Sequence, residues 1–488
     1  MKSLMCMSLL LGIGLAHAAP APPPANQLAI VTEDGLALRA EARHSAAPHA
    51  VLWQGENLEV RGRTLDYLQV YDHRIERAGF VRASKVHIIS TLPDDAPELL
   101  AAVRFLRDIR GSESLGIAYS AAYLKAAPGK DIHAEAFDAL GVMAERLAER
   151  ASTNRDNSKE QTLSGQLEVA AGYGIAIDSI DHHGRMMLCY DGDAFRRVMA
   201  LDATAMQKAT AVLALTNPDC VAPDQPPVQR AAFDTWRADV LDQVPREDLP
   251  RYVQNRIHMR AASVWSVIAF ERTRRQQPAQ PAASRAIDEL AAVDTHTLVE
   301  SDRAEYNDAA TRVGASRWAA EPLLNPGTGL HIVTTAGRPG ETCIKLLDRK
   351  HDELKPLVQR CTYGTVWASS ARVNASSTSL ALAVQPMPSW RELWLFHVVG
   401  KQWAIDVVPP AEDDPGLGYI EFAGWVPGDH LMLVAREARV NGRFVHRFEL
   451  LDMTTLAASH FADKPSSLSL FYRHQDAIWK SQTVSLRD

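Results

Sequence analysis

The 488-residue chain has no apolar run long enough to cross a bilayer. A spanning helix needs about 20 consecutive apolar residues, and the run from Leu4 to Leu15 falls short of that. It also lacks a basic excess: 52 Lys and Arg stand against 59 Asp and Glu, a formal charge of −7. Nucleic-acid binding relies on a positive field, so the balance argues against nucleic acid as the main partner. Catalytic signatures are missing as well. There is no His-Glu-x-x-His, no Gly-x-Ser-x-Gly, no P-loop, and no Gly-x-Gly-x-x-Gly after a strand. No catalytic residue, metal ligand or cofactor is therefore assigned, although a triad assembled only in space leaves no such trace.

What is present is an ordinary globular balance, 46 % apolar and 23 % charged, which rules out wholesale disorder. The length predicts three or four domains, at roughly 100–200 residues each. Residues 1–18 read as a secretory signal. Lys2 supplies the positive end, Leu4 to Leu15 the apolar middle, and Ala16-His17-Ala18 the small residues a signal peptidase recognises. Cleavage after Ala18 is expected, and with it a periplasmic or secreted protein without a transmembrane segment. Cys6 lies at the start of the apolar run, which argues against a lipid anchor. Loss of Lys2 leaves 51 basic against 59 acidic residues, a charge of −8. A Pro-rich spacer, 19–27, follows and is stiff and extended.

Four of the five cysteines lie beyond that signal: Cys189, Cys220, Cys343 and Cys361. An even number in an oxidising compartment predicts disulfides. Of the three possible pairings, Cys189–Cys220 with Cys343–Cys361 keeps each bridge inside one predicted domain. Cys343 and Cys361 also flank a polar turn centred on residue 352. Residues so placed in a hairpin lie opposite each other.

Between 28 and 90, short apolar runs alternate with polar turns. Leu36-Ala-Leu38-Arg39, Val51-Leu52, Leu58-Glu-Val60, Tyr67-Leu-Gln-Val70 and Gly79-Phe80-Val81 are predicted strands. Five strands in about 60 residues predict a small barrel. The order resembles the bacterial SH3-type domain. That family runs from a Leu-x-Val-Arg strand through a Gly-Glu turn, here Gly55-Glu56, to a Trp-x-x-Val strand and a closing Gly-Trp-Val strand. Tyr67 and Phe80 stand where the family has Trp, and Ala40 to Arg43 replace the usual Ser/Gly/Pro-rich loop. The resemblance implies a binding module of envelope proteins, some members of which take cell-wall peptides. Trp53, Tyr67, Tyr71 and Phe80 are then candidates to line a peptide groove. Such aromatics also serve simply to fill a small barrel core.

Residues 93–320 switch to helical period. Asp95-Ala-Pro-Glu98 is a helix start signal, after which Leu99, Val103 and Leu106 share a face. Phe137, Leu140, Ala144 and Leu147 repeat the pattern, as do Ile257, Ala261, Val264 and Ile268. An irregular antiparallel helical array is expected. A β-hairpin near 173–190 interrupts it, and Thr273 to Ala286 reads as an exposed loop.

In 321–488, the apolar strands Leu330–Val333, Leu380–Val384 and Leu431–Val434 recur at intervals of 50 and 51 residues. Each is followed by a second strand and a third. This spacing predicts a β-propeller-like domain of antiparallel sheets with three blade-like repeats. Trp390, Trp394, Trp403, Trp425 and Trp479 fit as packing between the sheets, or as a ligand surface. Open sheets leave edges that must be covered, so a helix or a partner is expected over one face.

The expected fold is thus multidomain, α and β. The expected function is an exported binding or scaffold protein, with an envelope protein or peptidoglycan as partner. An envelope-polymer hydrolase that uses the SH3-like module for targeting is the alternative, as is a structural part of an envelope assembly.

Overall fold

The computed structural model describes residues 27–154, 157–182, 184–322, 329–412 and 416–482. The expected signal and all of the spacer but Gln27 fall outside them. Helices and antiparallel sheets alternate along the chain. It divides into two compact units, Met1–Ala203 and Thr204–Asp488.

The first unit opens with β1 (Gln27–Val31), β2 (Leu36–Arg39), β3 (Pro48–Leu52), β4 (Asn57–Thr64), β5 (Tyr67–Asp72), β6 (Arg77–Arg82) and β7 (Val86–Ser90). They form one sheet in the order β3-β2-β6-β5-β4-β1-β7. Two strands, β1 and β7, exceed the five expected. The run Leu28-Ala-Ile-Val31 shows no alternation because both of its faces are covered. Ala29 and Val31 join Leu38, Leu52, Leu58, Leu68, Val70 and Val81 in the core of the sheet. Ile30 joins Ile89 in a second core, among helical residues.

Those helices are α1 (Ala96–Arg107), α2 (Glu113–Ala126), α3 (Ala134–Thr153) and α4 (Asn157–Gly172). Leu99, Val103 and Leu106 are buried as their spacing requires. Asp95 occupies the cap position of α1, but its side chain makes no capping bond. A 3-10 turn, Pro93–Asp95, leads into the helix and already holds Asp95 in helical backbone, whereas a capping side chain needs an extended one. The expected hairpin is β8 (Ile177–His182) with β9 (Arg185–Tyr190), followed by α5 (Asp193–Ala200).

The second unit begins with α6 (Ala205–Leu215), α7 (Pro227–Asp242), α8 (Arg251–Arg274), α9 (Gln280–Ala291) and α10 (Arg303–Ser316). The loop expected over 273–286 shrinks to five residues, 275–279. Pro281 does not prevent a helix because it lies in the first turn of α9, where no amide hydrogen is needed.

Three antiparallel meanders follow. They are β10 (His331–Ala336), β11 (Thr342–Leu347) and β12 (Val358–Thr362); then β13 (Thr365–Val373), β14 (Ser379–Met387), β15 (Trp390–Val399) and β16 (Gln402–Val408); then β17 (Gly418–Trp425), β18 (Leu431–Val440), β19 (Arg443–Asp452) and β20 (Ala458–Ala462). The repeat spacing located β10, β14 and β18; β13 and β17 are additional strands that precede it in the second and third meanders. The last two meanders are joined, because the first two residues of β15 pair in parallel with β17 while β16 takes the rest of β15. Helix α10 lies against β15 and β17 and covers one face. Two short helices, α11 (Ser469–His474) and α12 (Ala477–Gln482), close the described chain. Phe471 and Trp479 pack on Phe448 of β19. Trp390 and Trp394 are buried too, while Trp403 and Trp425 are half-buried.

Candidate functional site

Three of the four candidate aromatics come to one face. Along β5, Leu68 and Val70 point into the sheet core, so Tyr67, Gln69 and Tyr71 point outward. Across the β5–β6 pair, Tyr67 faces Arg82, Gln69 faces Phe80 and Tyr71 faces Ala78. Phe80 therefore lies diagonally between the two tyrosines. The three are not equally available. Tyr67 is only 7 % exposed. The Arg61 guanidinium lies 3.9 Å from the centre of the Tyr71 ring, and His73 meets the same ring edge-on. Glu59 accepts from both Arg61 and His73, at 3.1 and 2.7 Å. Those contacts, Arg61 first, hold its carboxyl below the ordinary range.

Leu65, at the β4–β5 turn, carried no signal in the hydrophobic pattern. It is 84 % exposed and has a φ of 53°. A branched apolar side chain in left-handed backbone is disfavoured, and solvent gives it no compensating contact.

Trp53 is placed elsewhere. A Cβ on Gly165 of α4 would come within 2.4 Å of its indole, so the ring lies directly on that helix. The whole Trp53–Asn57 segment is docked on helices. Gly55 has a φ of 91°, and a Cβ there would meet the Ser114 carbonyl at 2.4 Å. Tyr173 donates its hydroxyl to the Gly55 carbonyl at 2.8 Å. Gln166 of α4 donates to Asp34 at 2.9 Å.

At this junction lie two buried carboxylates, Glu56 and Asp72. Arg74 is 3.3 Å from one and 3.9 Å from the other, and it also reaches within 3.9 Å of Glu168 on α4. One oxygen of each buried carboxylate has no hydrogen-bond partner. Burial pushes the Glu56 carboxyl up to about 7; Arg74 opposes the push, and Asp72 adds to it.

The second unit holds the opposite arrangement. Glu421 of β17 is 2 % exposed. One of its oxygens accepts from Arg391 at 2.7 Å and from Arg317; the other accepts from the Trp479 indole at 2.9 Å. Arg391 also donates to the Gly314 carbonyl at 2.6 Å. The cluster therefore ties α10, β15, β17 and α12 together. Burial alone would raise the Glu421 carboxyl, but the two guanidiniums overcome that and hold it below the ordinary range. A cavity of about 10 Å³ adjoins the cluster, lined by Arg317, Trp318, Arg372, Asp476 and others. It has room for about one water molecule.

Cys343 and Cys361 are directly opposed on β11 and β12 and form a disulfide. Cys189 and Cys220 are disulfide-bonded as well. The one group of three ligand-type side chains found among the described residues is Glu341, Cys343 and Cys361, and its two sulfurs are that disulfide. Among the described residues, no helix is long and apolar enough to cross a membrane. In comparisons with known proteins, no family model, no curated protein and no solved structure matches the chain.

Proposed function

We propose that the chain is an exported envelope protein that binds cell-wall peptide through the outer face of its N-terminal sheet. The observation that carries this reading is Leu65, an exposed leucine held in disfavoured backbone in the turn that leads into β5, the strand that carries Tyr71 and pairs with the strand of Phe80. Departures from local sequence rules concentrate where a chain meets a ligand. The oxidised cysteines favour an extracytoplasmic site of action.

In this reading the sheet is an SH3-type module, as the order of its sequence motifs resembles that family, and Tyr71 and Phe80 give its ligand surface. Tyr67 lies buried on the same face, and Trp53 anchors the module to α4. The three meanders of the second unit are blade-like and form a partial propeller, which serves as a scaffold. Sedimentation with purified peptidoglycan tests the proposal. The full mature chain should co-sediment, and a Tyr71→Ala/Phe80→Ala variant should lose roughly tenfold or more in affinity, the effect of removing two interface anchors. Failure of the unaltered chain to sediment, or equal retention of the variant, overturns it.

A further inference from the structure

In the second unit, α7 and the end of α8 border a partly open cavity of about 160 Å³. Ala231, Asp234 and Thr235 line it from α7; Ile268, Glu271 and Arg272 line it from α8, with Arg275 and Gln277 beyond the helix. Its charges are unequally satisfied. Asp234 is saturated: Arg230 donates to one oxygen at 2.8 Å and Arg237 to the other at 2.9 Å. Arg275 donates to the Pro227 carbonyl at 2.6 Å and stands 3.8 Å from Glu271. The half-buried Arg272 guanidinium makes no hydrogen bond or ion pair with any described residue. Four guanidiniums, of Arg230, Arg237, Arg272 and Arg275, thus surround two carboxylates, and the one without a partner lines the cavity.

We infer that this cavity binds a small aliphatic carboxylate. The anionic end meets Arg272, with Arg275 beside it, in a charge-assisted pair. The short hydrocarbon part lies on Ile268 and Ala231. The volume equals about five water molecules, which suits an acid of about six to eight non-hydrogen atoms. A ligand of that size and a single charge pairing has a Kd of about 1 mM. The inference is independent of the proposed cell-wall binding.

Calorimetric titration of the full chain with butyrate and with succinate tests it, with n-butylamine as the cationic counterpart of similar size. At least one of the acids should bind, and the amine should not. Arg272→Gln should lower the affinity roughly tenfold, the effect of losing one hydrogen-bonded charge. Arg274→Gln, on the neighbouring exposed position, should leave it unchanged. Thermal unfolding of Arg272→Gln should match the unaltered chain, because the guanidinium holds nothing in the fold. Absence of acid binding, equal binding of the amine, or equal affinity of the two Arg variants overturns the inference.

Discussion

Two buried ionic clusters, one in each unit, solve the same problem in opposite ways. In the N-terminal unit, Glu56 and Asp72 share one guanidinium, and each keeps an oxygen without a hydrogen-bond partner. In the second unit Glu421 has two guanidiniums and an indole to itself. Burial is similar, but the carboxyl rises in the first case and falls in the second. The ratio of donors to acceptors, not depth, sets the protonation state. The first cluster is consequently tunable by pH, while the second is fixed wherever Glu421 stays ionised.

The contrast predicts the largest effect at Glu421. Glu421→Gln removes the carboxylate to which Arg391 and Arg317 both donate and should cost about 3–5 kcal/mol, measured by urea unfolding of the full chain. A loss below about 1 kcal/mol would mean that water reaches the cluster. Next is the junction that carries the first cluster. Gly165→Val drives a branched side chain into the Trp53 indole and should cost about 1–3 kcal/mol, with a change in Trp fluorescence. An unchanged midpoint would show that the sheet and α4 are not packed as described.

The pH response comes last, and its sign separates two kinds of carboxylate. Glu56 has a folded-state value of about 7 against an ordinary 4.5. The folded chain therefore holds an extra proton between those values, and stability falls as pH rises from about 4.5 to 7. Glu56→Gln should remove that decline. Glu289 behaves in reverse. Burial alone would raise it, but His258 at 2.6 Å and Arg246 at 2.8 Å hold it at about 2. Its contribution is complete above about 4.5 and is lost as pH falls towards 2. Glu289→Gln should flatten the acid limb and leave the neutral one unchanged. The same slopes in both variants would contradict the comparison.

Much of this architecture was legible in the sequence, wherever burial is one-sided. Alternation exposed β5 and β6, helical period exposed α1, α3 and α8, and the repeat interval exposed the three meanders. The hairpin geometry around residue 352 located the Cys343–Cys361 bridge. β1 escaped because it is covered on both faces and does not alternate. The beginning of α9 was hidden by a proline that a first turn tolerates. The ionic clusters were invisible for a different reason. Arg317 and Glu421 are separated by 104 positions, so their contact is a property of the packed chain and leaves no local pattern. Among the aromatics, residue type did not distinguish Trp53, which packs on α4, from Tyr71 and Phe80, which face outward.

Hydroxyl-radical footprinting of the full chain with soluble peptidoglycan fragments tests the proposed binding face most directly. Leu65, Tyr71 and Phe80 should lose reactivity as fragments are added, while Trp53 and Tyr67 stay unchanged. Unaltered labelling at Leu65, Tyr71 and Phe80, with protection confined to other parts of the chain, would contradict the account.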